Sequence, residues 1–184
     1  LRLVEENARL TLANYLNTRE RQEERNSLAL EELCQVLALP SSPRRIECYD
    51  ISHIQGSDMV GSMVVFLNGA ATPKLYRHFR IKTVQGANDF ASMNEVLSRR
   101  FLRTQREKEE ERWPLPDLVL VDGGPEQLRF ARAAMLETGI EVPMFGLAKR
   151  LEEIYLPDRA DPIRLDVRSP ALHLIQRVRD ESHR

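Results

Sequence analysis

Two aspartates stand where a folded chain could use them for chemistry. Asp50 interrupts the strand-like run Ile46-Glu47-Cys48-Tyr49-Asp50-Ile51-Ser52. Strand propensity and desolvation both disfavour a carboxylate there. Such a residue needs a partner, a cation or water; a half-exposed strand with Asp50 solvated is the plain alternative. Asp122 closes the apolar run Pro116-Asp117-Leu118-Val119-Leu120-Val121-Asp122, just before Gly123-Gly124. In open α/β sheets, ligands bind beyond the carboxyl ends of the strands. An Asp-Gly turn with a local side-chain to backbone bond is the alternative at this position. If the two strands are neighbours, the carboxylates repel, and a divalent cation between them removes that penalty. Oxygen ligands favour Mg²⁺ or Mn²⁺. Such an ion lowers the pKa of a bound water and stabilises charge on a phosphoryl oxygen, which is the chemistry of phosphodiester hydrolysis.

The four histidines are His53, His78, His173 and His183. His183 lies near the edge of the apolar helix face formed by Leu172, Leu174, Ile175 and Val178, a position from which it can point across a sheet. A surface histidine favoured by the helix dipole gives the same pattern. His53, three residues after Asp50, is a weaker candidate ligand. In Lys74-Leu75-Tyr76-Arg77-His78-Phe79-Arg80-Ile81-Lys82, alternation puts Lys74, Tyr76, His78, Arg80 and Lys82 on one strand face. A basic, aromatic strand face suits a phosphate backbone; an exposed strand kept soluble by charge reads the same way. Arg99, Arg100, Arg103 and Arg106 add a positive stripe at a helix end. Lys149 and Arg150 follow a buried strand, on the sheet edge of Asp122 if that strand is parallel. There is no dinucleotide-binding or Walker pattern. Cys34 and Cys48 stand too far apart for zinc spacing.

The elements that must position these residues follow from periodicity. Residues 1–39 predict helix, divided by the polar stretch 18–26 into two helices with a solvated joint. Pro40-Ser41-Ser42-Pro43 punctuates the chain. A helical appendage, 1–43, is thus expected before a compact domain, 44–184. That domain opens with strands at 45–54, 59–67 and 73–84, with a hairpin turn at Asn68-Gly69. A helix begins near Asn88 or Asp89, with Phe90, Met93, Val96, Leu97 and Phe101 on one face. Parallel strands are expected at 116–122 and 142–148, with a helix from Pro125 through Leu136 between them. A small hairpin at 153–155 and 163–167 follows, then a last helix capped by Ser169. The order β-β-β-α-β-α-β-α predicts an α/β fold: an RNase H-like mixed sheet, antiparallel meander plus parallel strands, with flanking helices and an N-terminal helical appendage.

Over 184 residues the chain is 42% hydrophobic and 30% charged, with net charge −1. Nucleic-acid binding therefore has to rest on local patches rather than on global charge. Two cysteines exclude a disulfide framework. No run approaches the roughly 18 apolar residues of a membrane helix. Both chain ends read as cuts within a longer protein.

The chain resembles the C-terminal endonuclease region of the UvrC family, the nucleases of bacterial nucleotide excision repair. The matching segments are Arg45-Ile46-Glu47-Cys48-Tyr49-Asp50-Ile51-Ser52-His53-Ile54-Gln55-Gly56 and Phe79-Arg80-Ile81-Lys82-Thr83-Val84. They continue with Asp117-Leu118-Val119-Leu120-Val121-Asp122-Gly123-Gly124, with Gly146-Leu147-Ala148-Lys149-Arg150, and with the stretch from Ser169-Pro170 to His183-Arg184. The resemblance implies an RNase H-like fold related to endonuclease V and the slicing domain of Argonaute. It implies a metal site of Asp50, Asp122 and His183, holding Mg²⁺ or Mn²⁺. It further implies a cytoplasmic DNA endonuclease making the 5′ incision beside a lesion in double-stranded DNA. UvrB, with UvrA upstream, would be engaged through segments absent from this sequence, as is the family's helix-hairpin-helix module. Lys74, Arg80, Lys82, Lys149 and Arg150 are the expected DNA contacts. A non-catalytic RNase H-like module that binds DNA or a repair partner is the alternative function.

Overall fold

The computed structural model describes residues 1–54, 58–83, 88–106 and 111–184. Of the sequence features above, Gln55-Gly56 and Val84 lie outside the described residues. One seven-stranded mixed sheet forms the middle layer. Its long strands are β1 (Arg45–Ile54) and β2 (Asp58–Leu67). Two short pieces, β3 (Ala70–Ala71) and β4 (Arg77–Arg80), pair with different stretches of β2. Next to β1 run β5 (Leu118–Asp122) and β6 (Met144–Ala148), both parallel, and β7 (Glu153–Tyr155) closes that edge antiparallel.

Helices α1 (Arg2–Val36) and α4 (Pro170–Ser182) cover one face. Helices α2 (Asp89–Thr104) and α3 (Pro125–Glu137) cover the other. Strand alternation builds both layers at once. Ile46 and Cys48 of β1, with Leu118 and Leu120 of β5, face α4, while Tyr49, Val119 and Val121 face α2 and α3. Asp50 and Asp122 continue the first of these rows, so both carboxylates belong to the α4 face.

Two expectations are corrected. The helix at the amino end is one continuous element rather than two. It holds no Gly or Pro, and its polar middle is bridged along the surface by Arg19–Glu23 and by Gln22 donating to Asn26. Only its last third packs, through Ala29, Leu30 and Leu33. The strand expected at 73–84 is broken. Pro73 opens a turn of 3₁₀ helix, Pro73–Leu75, and regular pairing resumes only at Arg77. Lys74 therefore lies in that turn, Tyr76 at its end and Lys82 beyond β4, so only His78 and Arg80 share the exposed strand face.

Gly146 marks a close approach. A Cβ on this residue would stand 2.8 Å from the Gly123 carbonyl oxygen, a backbone atom. Gly123 itself has φ +156°, and its N–H donates to Leu147 O at 3.1 Å. Gly146→Ala is expected to cost about 1–3 kcal/mol through this overpacking, read as a lower midpoint in thermal unfolding. An unchanged midpoint would show that the turn after Asp122 yields freely.

Candidate metal centre

The parallel register of β1 and β5 runs from Ile46 opposite Leu118 to Tyr49 opposite Val121. One step further, Asp50 and Asp122 end up side by side. Asp122 is the last residue of β5, and the turn through Gly123 and Gly124 into α3 adds no side chain in front of it. The third group comes from the far end of the chain. His183 caps the carboxyl end of α4, its N–H donating to Asp180 O at 3.2 Å. Its ring lies between the acids, with Nδ1 3.3 Å from Asp50 Oδ2 and Nε2 2.8 Å from Asp122 Oδ2.

This end of α4 is clamped. Tyr76 Oη donates to Glu181 Oε1 at 2.9 Å, and Arg179 Nη1 donates to both oxygens of Glu152 at 2.8 and 3.0 Å. At the other end, Ser169 caps the helix by accepting from Leu172 N–H and bonds Glu32 of α1. The clamp was not legible beforehand: Tyr76, Glu152 and Glu181 carry no local signal that brings them together.

Asp50, Asp122 and His183 keep side-chain exposures of 17%, 12% and 31%, enough for an ion or a phosphate to reach them. Burial pushes the Asp50 carboxyl above its ordinary range; the His183 ring opposes that shift and the Asp122 charge reinforces it. The side chain of Lys149, in the turn after β6, also acts on Asp50 as a nearby positive charge. Cys48, beneath the acids, is fully buried, and desolvation drives its thiol far above the usual range. His53 points elsewhere, 3.8 Å from Asp89.

The three groups fit a hard divalent ion. One oxygen from each acid and one ring nitrogen all lie within 4.8 Å of one another, about the width of one coordination sphere. The two carboxylates supply hard oxygen donors and the imidazole a nitrogen donor, a set that can hold a divalent ion. The sequence-expected DNA contacts are spread more widely. Arg150 is exposed beside Lys149, Arg80 is exposed on β4, Lys82 follows it, and Lys74 lies at the 3₁₀ turn. Among the described residues, no helix is long and apolar enough to cross a membrane.

On the opposite face of the sheet from the acids lies a charged group that sequence reasoning missed. Glu47 of β1, fully buried, accepts from Arg100 Nε at 2.7 Å and Nη2 at 2.8 Å, from Arg45 Nε at 2.8 Å, and from the Tyr49 hydroxyl. These contacts fasten β1 to α2 three residues before Asp50.

Comparison with known proteins identifies the family. The family described as UvrC RNAse H endonuclease domain matches residues 34–184. UvrABC system protein C of Gloeobacter violaceus is 54% identical over 90% of this chain and 27% of its own length. The protein of the same name from Moorella thermoacetica is 52% identical over 100% of this chain and 30% of its own length. The chain thus spans less than a third of the relatives it matches. Among solved structures, Ciona intestinalis Endonuclease V, in complex with a DNA containing inosine, aligns with TM-score 0.45 and 14% identity, covering 92% of this chain and 68% of that one.

Proposed function

Because this chain belongs to the UvrC RNase H endonuclease domain family, we propose that it is a divalent-metal-dependent DNA endonuclease that makes the 5′ incision beside a lesion in nucleotide excision repair. The observation that carries this reading is the meeting of Asp50, Asp122 and His183 at one point of the α4 face. Asp50 and Asp122 would hold Mg²⁺ or Mn²⁺, with His183 as third ligand. The ion, when bound, supplies an acidified water and positive charge at the phosphoryl oxygen.

The chain's own residues do the rest. Register between β1 and β5 fixes the two carboxylates before any ligand arrives, which lowers the reorganisation needed at the site. The clamp on α4 holds the imidazole against them. His183 donates to carboxylates through both ring nitrogens only when both carry protons, so ligation requires one nitrogen to give its proton up. Lys149 and Arg150 would hold phosphates at the mouth, without reading sequence. Damaged double-stranded DNA is the proposed substrate. UvrB and UvrA are the proposed partners, and the cytoplasm is the proposed location.

The test is titration of Mn²⁺ into the chain by calorimetry, alongside cleavage of an end-labelled duplex. Binding that is lost in His183→Ala, with Mn²⁺-dependent cleavage lost in parallel, supports the assignment. Equal Mn²⁺ affinity and cleavage in that variant would reject His183 as a ligand. No divalent-ion response in the wild type would leave a binding module as the correct reading.

A further inference from the structure

Row by row across the sheet, Asp50 on β1 stands opposite Ser62 on β2, and Ser62 opposite His78 on β4. Directly opposed residues share a face, so His78 lies on the face of the acids, roughly 9–10 Å from Asp50 by strand spacing. Ser62 Oγ and His78 Nδ1 are 3.5 Å apart. That distance is too great for His78 to join the ion's ligands. It leads instead to the edge of the sheet, where His78 also lines a cleft between β4 and the carboxyl end of α2.

The cleft is basic. Arg77, Arg99, Arg103 and Arg112 line it together with His78 and Trp113, and Glu111 is the acid among its lining residues. Its guanidiniums are preset by contacts. Arg77 and Arg103 lie 5.7 and 5.2 Å from the Trp113 ring centre, and Arg99 lies 5.4 Å from that of Phe79. Arg77 Nη1 donates to the Lys74 and Tyr76 carbonyls, and Arg99 Nη1 to the Arg80 carbonyl at 2.7 Å. Trp113 is 8% exposed, too covered to serve as a stacking platform for bases.

We infer that this cleft is a phosphate-binding track for one DNA strand, continuing from the acid pair over the β4 edge by way of His78. Planar guanidiniums match phosphate oxygens in pairs. With no exposed aromatic face, the track holds backbone and reads no sequence. The inference rests on the nuclease reading for the strand's other end, at Asp50 and Asp122.

The test measures affinity of this chain for a fluorescein-labelled duplex by anisotropy, across salt from roughly 0.05 to 0.2 M. The paired change Arg77→Ala with Arg103→Ala should weaken binding by about tenfold or more, and make the salt slope shallower by about two. Arg77→Lys with Arg103→Lys should restore the salt slope but only part of the affinity, since lysine keeps the charge without the planar fork. His78→Glu, on an exposed strand position, should weaken binding without lowering the melting temperature. Arg9→Ala, on the exposed part of α1, is the control. An alanine pair that melts normally and binds with unchanged affinity and slope would overturn the inference, as would a wild type with no salt-dependent binding. The two readings separate cleanly. Loss of Mn²⁺-dependent cleavage in Asp50→Asn with normal binding upholds the nuclease reading whatever the cleft does. Normal cleavage in Asp50→Asn rejects that reading, while the salt slopes still report on the cleft.

Discussion

Asp122→Asn should reduce Mn²⁺-dependent DNA cleavage by at least about a thousandfold, equivalent to about 4 kcal/mol of transition-state stabilisation. Asparagine keeps the shape and leaves the β5 end intact, but it removes one of the two negative charges that make the site attractive to a hard cation. It also replaces a carboxylate oxygen with a weaker amide donor. His183 Nε2 now stands 2.8 Å from Asp122 Oδ2, so the same change loosens the imidazole that would complete the ligand set. The measurement is single-turnover cleavage of an end-labelled duplex, with Mn²⁺ affinity taken from a separate titration. Thermal unfolding provides the control, since Asp122 retains partial exposure and Asn keeps its shape. Cleavage within about tenfold of the wild type would show that the acid pair is not where the reaction happens.

The pieces of this site were legible to different degrees, for physical reasons. Asp122 stood out because a buried parallel strand is a continuous apolar run, and a carboxylate at its carboxyl end before two glycines breaks that run at a meaningful place. Asp50 was visible only as an anomaly within a strand. That it lies beside Asp122 is a property of the parallel register, which no local pattern encodes. His183 drew its reading from the resemblance; periodicity alone left it on a helix edge. Faces were harder. The alternation through 73–82 implied one long basic strand, but Pro73 cannot donate a ladder hydrogen bond, and the chain turns through 3₁₀ helix before pairing again at Arg77. Trp113 and its arginines, contributed by β4, α2 and the segment before β5, were invisible as a group because they meet only through tertiary packing.

Arg100→Leu should lower stability by about 3–5 kcal/mol, a fall of roughly 10–15 °C in melting temperature for a chain of this size. Arg100 and Glu47 are both fully buried, and the guanidinium meets both carboxylate oxygens. Removing the arginine leaves a charge inside the sheet–helix interface with only Arg45 and the Tyr49 hydroxyl to answer it. The pH dependence has a definite sign. Burial alone would raise the Glu47 pKa, but hydrogen bonding and charge from Arg100, with Arg45 and Tyr49, hold it below the ordinary carboxylate value of 4.5. A depressed folded pKa contributes stability above the unfolded value and loses it as pH falls through the folded one. The wild type should therefore weaken progressively below about pH 4.5. In Arg100→Leu the opposing cations are fewer, burial weighs more, and the deficit relative to wild type should shrink as the solution is acidified. Replacing both partners, Glu47→Leu with Arg100→Leu, removes the stranded charge and should recover much of the loss at neutral pH, although the Tyr49 hydroxyl then lacks its acceptor. A double variant no more stable than Arg100→Leu would show that the ion pair is not what fastens β1 to α2. Because Asp50 follows Glu47 on the same strand, the single variant should also weaken Mn²⁺ binding at temperatures well below its melting point, which couples this buried pair through β1 to the acids on the other face of the sheet.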